Sequence, residues 1–285
     1  MFKNLSPGAV GISGSMEEVM TLAKRNGFRG IDLNVGEAIK IAEQSSLDDV
    51  RKMFDDHRLK PGGFGLPVDF RKDEDTYRHG LERLPAIAET AAAVGCTRCP
   101  TWILPWSDDL PFDENFEQHR RRLKGCAEIL KDHGIRLGLE FVGPKTSREG
   151  HKYEFIWDMD GMLKLADAIG TGNVGLLLDC WHWYTSHGTL DDLKGLRNED
   201  VVYIHVNDAP EGVPVDEQID NVRRLPGETG VIDIAGFLQA MDAIGYDGPV
   251  TPEPFVPELR EMGNERAARI VGDSMKKIFD LAGLS

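Results

Sequence analysis

Two hydropathy periods alternate along this chain, and that alternation limits its fold more than any other feature. Short apolar runs, closed by Gly, Pro or polar residues, are each followed by a longer stretch with helical spacing, and the pair occurs eight times. The runs cover residues 9–13, 30–35, 60–68, 97–104, 136–142, 174–180, 201–207 and 249–255. Leu176-Leu177-Leu178 and Val201-Val202-Tyr203-Ile204 are too continuously apolar for strands with one wet face, so they read as strands buried on both sides. The helical stretches carry their own punctuation. Ser15 precedes Glu18 by the capping-box interval, and stretches 114–132, 159–169 and 233–244 stop at Gly134, Gly170 and Gly245. In the last stretch, 265–281, Ala267, Ile270, Val271, Met275, Ile278 and Phe279 fall on one helical face.

Parallel strands need helical crossovers, and eight strand–helix units can close a sheet on itself. The predicted fold class is therefore α/β, a single (β/α)8 TIM barrel over residues 1–285. A doubly wound open sheet would place a Gly-rich phosphate turn after its first strand, but Gly8, Gly11 and Gly14 have the wrong spacing for it. The longest irregular connection, 209–232, marks a functional loop.

Composition narrows the partners. With 33 Lys+Arg against 48 Asp+Glu, the net charge is −15, which repels a phosphate backbone and argues against nucleic acid. There is no apolar stretch of membrane-spanning length and no apolar core of signal-peptide length at the N-terminus, so no membrane partner and a cytoplasmic location are expected. Cys96, Cys99, Cys126 and Cys180 should then stay reduced, and Cys96-x-x-Cys99 lacks the second pair of a zinc knuckle.

In a barrel of this kind the active site lies at the C-terminal strand ends. The fifth run ends in Glu140, the sixth in Asp179, the seventh carries His205 and the eighth Glu253. Any one of these residues reads as a cap or a satisfied core group. Four on successive strands point at one place. Three carboxylates desolvated together raise one another's pKa, a cost that a central cation removes. Three oxygen ligands and one imidazole suit Mn2+, Mg2+ or Co2+. His182, three residues after Asp179, reaches the same cavity to bind substrate or a second metal. Phe64, Trp102, Trp106, Trp181 and Trp183 surround the predicted mouth, where a sugar or cyclitol ring would stack its C–H faces. Lys145 and Arg148 read either as an anion site or as solvated loop charge. Prolines 252, 254 and 257 remove N–H donors after the eighth run, which favours an unphosphorylated substrate.

The set Gly138-Leu139-Glu140-Phe141, Leu178-Asp179-x-x-His182, His205-x-Asn207-Asp208 and Pro252-Glu253-Pro254, with the stretch from Arg223-Arg224-Leu225-Pro226-Gly227 to Asp233, resembles the xylose isomerase-like barrel superfamily of sugar isomerases and epimerases. Within it, these residues are most similar to the inosose (2-keto-myo-inositol) isomerase branch. The resemblance implies that Glu140, Asp179, His205 and Glu253 bind one divalent ion, with Mn2+ first and Mg2+, Co2+ or Zn2+ as alternatives. It implies that Glu140 and Glu253 are the acid/base pair, acting through a metal-stabilised enediolate, and that His182 contacts a substrate oxygen. Ketose 3-epimerases carry an Arg six positions after the metal-binding His. Here that position is Glu211, so Arg223 or Arg224 is expected in the substrate-binding role. The Asp-x-His ligands of the related abasic-site endonuclease are absent, since Asp233 precedes Ile234 and Ala235. The implied function is isomerisation or epimerisation of a small keto-sugar or keto-cyclitol. The alternative is a metal-dependent dehydratase or lyase acting on a keto-inositol, a keto-sugar or a dehydroshikimate-like ring. By analogy with related barrels, a homo-oligomer would pair through residues 181–184.

Overall fold

The protein was analysed as a computed structural model that describes residues 1–284. Its main sheet has eight parallel strands: β1 (Phe2–Leu5), β2 (Gly30–Ile31), β3 (Lys60–Pro61), β4 (Arg98–Trp102), β5 (Arg136–Glu140), β6 (Val174–Asp179), β7 (Val201–Val206) and β8 (Pro249–Pro252). Hydrogen-bonded neighbours follow the order β3-β2-β1-β8-β7-β6-β5-β4. The two ends of that order meet, because Phe64 N donates to Arg98 O at 3.1 Å and Leu66 N to Pro100 O at 3.0 Å. The sheet thus curls into the predicted barrel, with helices packed around its outside.

Local signals place the helices. Ser15 caps the helix Met16–Arg25, and Glu18 returns the bond by accepting from Ser15 N at 2.8 Å. The helix Met159–Ile169 stops at Gly170, which takes the left-handed conformation that spares a Cβ. The final helix, Asn264–Ala282, buries Ala267, Val271, Met275, Ile278 and Phe279 along one stripe. Among the described residues no helix is long and apolar enough to cross a membrane. All four cysteines are buried and unpaired.

The first strand departs from the sequence expectation. It lies at Phe2–Leu5, while the expected region 9–13 overlaps a 3-10 turn at Gly8–Val10, and Val10 and Ile12 are buried. Lys3 and Asn4 break the apolar pattern of the true strand. Asn4 is nevertheless fully buried inside the barrel, because its side-chain amide donates toward Asp32 Oδ1 (2.8 Å), Tyr203 Oη (3.0 Å) and Thr251 Oγ1 (3.0 Å). The segment just after β3 leaves room only for glycine, since a Cβ on Gly62 would sit 2.2 Å from Asn4 Oδ1.

Two features roof the C-terminal end of the barrel. A two-stranded antiparallel arm pairs Trp106–Ser107 with Tyr153–Glu154. The long connection after β7 is tied down by Asp208, whose buried carboxylate accepts from the backbone N–H groups of Ala209 (2.9 Å), Thr229 (3.0 Å), Gly230 (2.7 Å) and Ile232 (3.1 Å). The stretch Thr229 to Ile232, with Ala209, therefore forms a cradle of main-chain donors around a carboxylate of the same chain.

Candidate active site

Four successive strands converge on one point. Glu140 and Asp179 are the last residues of β5 and β6, His205 is the penultimate residue of β7, and Glu253 follows β8 directly. Asp179 and His205 are register partners, as are His205 and Thr251. One ligand atom from each of Glu140, Asp179, His205 and Glu253 lies within 4.8 Å of every other. His205 Nδ1 stands 3.2 Å from Glu140 Oε1 and 3.3 Å from Glu253 Oε2. Asp179 spends one oxygen on Trp181 N (2.8 Å) and Asn207 Nδ2 (3.0 Å) and turns the other inward.

Charge in this cluster is balanced by two cations. Burial raises the Glu140 carboxyl to about 7, against the lowering effect of its bond to His205. Burial would also raise Glu253, but the charge and hydrogen bond of His205, helped by Arg223, outweigh it and hold this carboxyl well below its usual range. Burial would lower His205, yet the two glutamates drive it far above its ordinary value. Arg223 is the second cation. Its Nη1 donates to Asp179 Oδ2 at 2.7 Å and Glu253 Oε2 at 3.3 Å, and its Nη2 donates to Asp220 Oδ1 at 2.7 Å. Its guanidinium lies between the Trp181 ring (5.3 Å) and the Phe255 ring (4.5 Å). Phe255 holds that position at φ 46, a strained left-handed conformation for an aromatic residue at a cavity wall.

The donor set fits a divalent ion. Three carboxylates and one imidazole face a common centre, and the His205 ring nitrogen stands between carboxylate oxygens that a hard cation would satisfy. The mixed oxygen and nitrogen ligands exclude the Cys-rich pattern of a structural zinc site.

Above the cluster opens a cavity of about 810 Å3. Glu140, Glu253, His182 and Arg223 line its floor, and Trp102, Leu104, Trp106, Val142 and Phe255 line its walls. Trp102 is 46% exposed and carries the Arg71 guanidinium 4.2 Å from its ring centre. Trp106 stacks on His151 at 3.5 Å.

Other residues expected around substrate are placed elsewhere. Phe64 is buried outside the cavity lining, because the segment that carries it closes the barrel against β4. Trp181 is fully buried behind Arg223. Arg224 turns away from the cavity: its backbone pairs with Asp208 and its Nη1 donates to Arg223 O. Trp183 packs on Phe237 and donates to Thr189 O. Segment 181–184, expected as an oligomer contact, lies in the helix Cys180–Thr185, where only Tyr184 is partly exposed. Lys145 pairs with Glu149 and Asp216 as loop charge, whereas Arg148 covers Trp157 and donates to Gly143 O at 2.8 Å. Sequence reasoning missed Asp220, Phe255 and Gly143. Asp220 carries one available signal, its position three residues before Arg223, but nothing local announces the other two.

Comparison with known proteins agrees with this architecture. Residues 20–278 match a family described as the xylose isomerase-like TIM barrel. The chain is similar to inosose isomerase of Halalkalibacterium halodurans, with 25% identity over 260 residues covering 90% of this chain and 88% of that one. A xylose isomerase domain protein from Alicyclobacillus acidocaldarius superposes with a TM-score of 0.86 at 31% identity over 99% of both chains. The IOLI protein crystallised with a zinc atom superposes with a TM-score of 0.80 at 21% identity, over 99% of this chain and 98% of that one.

Proposed function

The chain belongs to the xylose isomerase-like TIM barrel family, and from that premise we propose that it is a divalent-metal-dependent isomerase or epimerase of a small keto-sugar or keto-cyclitol. The observation that carries the reading is the convergence of Glu140, Asp179, His205 and Glu253 at the floor of a cavity large enough for a sugar ring. The similarity to inosose isomerase favours a keto-inositol as the first compound to test. The described residues, 1–284, serve this one barrel domain.

A divalent ion held by these four residues, Mn2+ first and Mg2+, Co2+ or Zn2+ as alternatives, would supply Lewis acidity toward a carbonyl oxygen and its neighbouring hydroxyl. The chain's own groups do the rest. One of Glu140 and Glu253 takes a proton from the carbon beside the carbonyl, and the other delivers a proton to a carbon of the same substrate. Return to the same carbon gives epimerisation, and return to its neighbour gives isomerisation. His182 and Arg223 hold substrate oxygens, Trp102 stacks on C–H faces, and Leu104, Val142 and Phe255 keep water away from the exposed carbon.

Proton NMR in D2O with 2-keto-myo-inositol and added Mn2+ tests the proposal. Deuterium should enter the carbon beside the carbonyl without loss of water. A conjugated enone product would move the assignment to a dehydratase, and no exchange by the metal-loaded protein with any keto-sugar or keto-cyclitol would overturn it.

A further inference from the structure

We propose that the backbone N–H of Gly143 fixes His182 as a neutral imidazole protonated on Nε2, so that His182 and Arg223 form a pair of donors for one acceptor oxygen of the ligand. The identity of that ligand rests on the functional reading above; the state of the ring does not.

A neutral imidazole has one lone pair and one N–H. Two donors nevertheless face the ring of His182. Gly143 N points at Nδ1 from 3.2 Å, and Arg223 Nη2 lies 3.2 Å from Nε2. Only one of them can be satisfied, and the surroundings decide which.

Gly143 is buried, and Nδ1 is the one acceptor its N–H meets among the described residues. It has no freedom to turn away. Its carbonyl accepts from Arg148 at 2.8 Å, and the backbone presses so closely on the helix Cys180–Thr185 that a Cβ would sit 2.3 Å from His182 O and 2.7 Å from Thr185 Oγ1. Arg223 Nη2 is better provided, since it also donates to Asp220 Oδ1 at 2.7 Å. An orphaned buried main-chain N–H costs more than a guanidinium that keeps its carboxylate. Nδ1 is therefore the acceptor, and the proton sits on Nε2.

It follows that Nε2–H and the Arg223 Nη2 face each other as donors with no acceptor between them. Both side chains line the cavity. The nearest carboxylate oxygens, Asp179 Oδ2 and Asp220 Oδ1, each stand 3.9 Å from Nε2, beyond hydrogen-bond reach. A carbonyl, alkoxide or hydroxyl oxygen entering the cavity satisfies both donors at once, whereas an ammonium group does not. His182 thereby holds an oxygen, and proton transfer at carbon is left to Glu140 and Glu253. Gly143 is a positioning residue.

Long-range 1H–15N correlation spectra of the full-length 15N-labelled protein loaded with Mg2+ test this directly. His182→Gln identifies the ring by the peaks it removes. The wild-type ring should show an unprotonated Nδ1 and a protonated Nε2. A ring protonated on Nδ1, or on both nitrogens, would overturn the proposal. Gly143→Ala, which displaces the N–H, should shift His182 toward the other tautomer; a folded Gly143→Ala protein with an unchanged tautomer would remove Gly143 from the account. Should that variant fail to fold, the wild-type spectrum decides alone. None of these readouts needs turnover, so a failed isomerase assay and a failed tautomer assignment are separate results.

Discussion

Strands β5 to β8 have four to six residues each and end at or beside Glu140, Asp179, His205 and Glu253, whereas β2 and β3 have two residues each and contribute none of these residues. Polar groups deep inside the barrel and those at its C-terminal strand ends are handled differently. Beneath the cavity, Asn4, Asp32, Tyr203 and Thr251 hydrogen-bond one another, leaving only the Asn4 Oδ1 without a partner among them: the Tyr203 hydroxyl donates to Asp32 Oδ1 at 2.6 Å, and that of Thr251 donates to Tyr203 Oη at 2.7 Å. Hydrogen bonds among mostly neutral partners suffice there. The cluster at the ends of β5 to β8 instead gathers more carboxylates than its own hydrogen bonds can satisfy, and it recruits His205 and Arg223 as counter-charges. One region is closed on itself, and the other is poised to accept a cation and a ligand.

The largest effects should fall on the open region. Glu140→Gln is expected to lower kcat on the order of 10²–10⁴-fold, the worth of a positioned proton-transfer group. Circular dichroism should show the fold intact, and unchanged kcat would remove Glu140 from that role. His205→Ala and Asp179→Asn should drop bound metal well below one ion per chain by elemental analysis of the purified variants. If both variants keep full stoichiometry, the ion is held elsewhere.

Arg223→Met probes the counter-charge. Deleting one partner of a buried ion pair leaves the others uncompensated, at a cost of about 3–5 kcal/mol. Metal-free protein should lose that much in thermal or urea unfolding, and Mn2+ should restore part of it by binding the native state. A variant equally stable with and without Mn2+ would erase the contrast drawn here. Asn4→Leu tests the closed region. It leaves the buried Thr251 Oγ1 without its donor and takes one of two donors from Asp32 Oδ1 and Tyr203 Oη, at roughly 1–3 kcal/mol, while metal stoichiometry stays unchanged. Metal loss in that variant would show the two regions to be coupled. The smallest effect belongs to Trp102→Ala, for which KM should rise by roughly tenfold or less, the scale of one ring contact.

Legibility followed the same division. Glu140, Asp179, His205 and Glu253 were readable because each stands at the end of an apolar run whose C-terminus must face the barrel mouth. The first strand was not readable, because Lys3 and Asn4 disguise it and the burial of Asn4 depends on partners 28 to 247 residues away. Among the aromatic residues, composition could gather Phe64, Trp102 and Trp181 near the mouth. It could not show that Trp181 stands behind a guanidinium or that Phe64 faces the seam between β3 and β4. Arg223 and Arg224 look equivalent as neighbours in sequence. The antiparallel bridge between Arg224 and Asp208 separates them by sending one side chain inward and the other out.

Periodicity, helix punctuation and the order of polar strand ends, all of them local, determined the barrel and its four convergent polar residues. They did so because a strand buried on both faces has one place for a charge, its end. Tertiary structure alone decided which arginine meets Asp179, which rings wall the cavity, and that Gly143 must lack a side chain for its N–H to reach His182. Those outcomes depend on contacts between loops from different strands, whose angstrom-scale approach no pattern along the chain encodes.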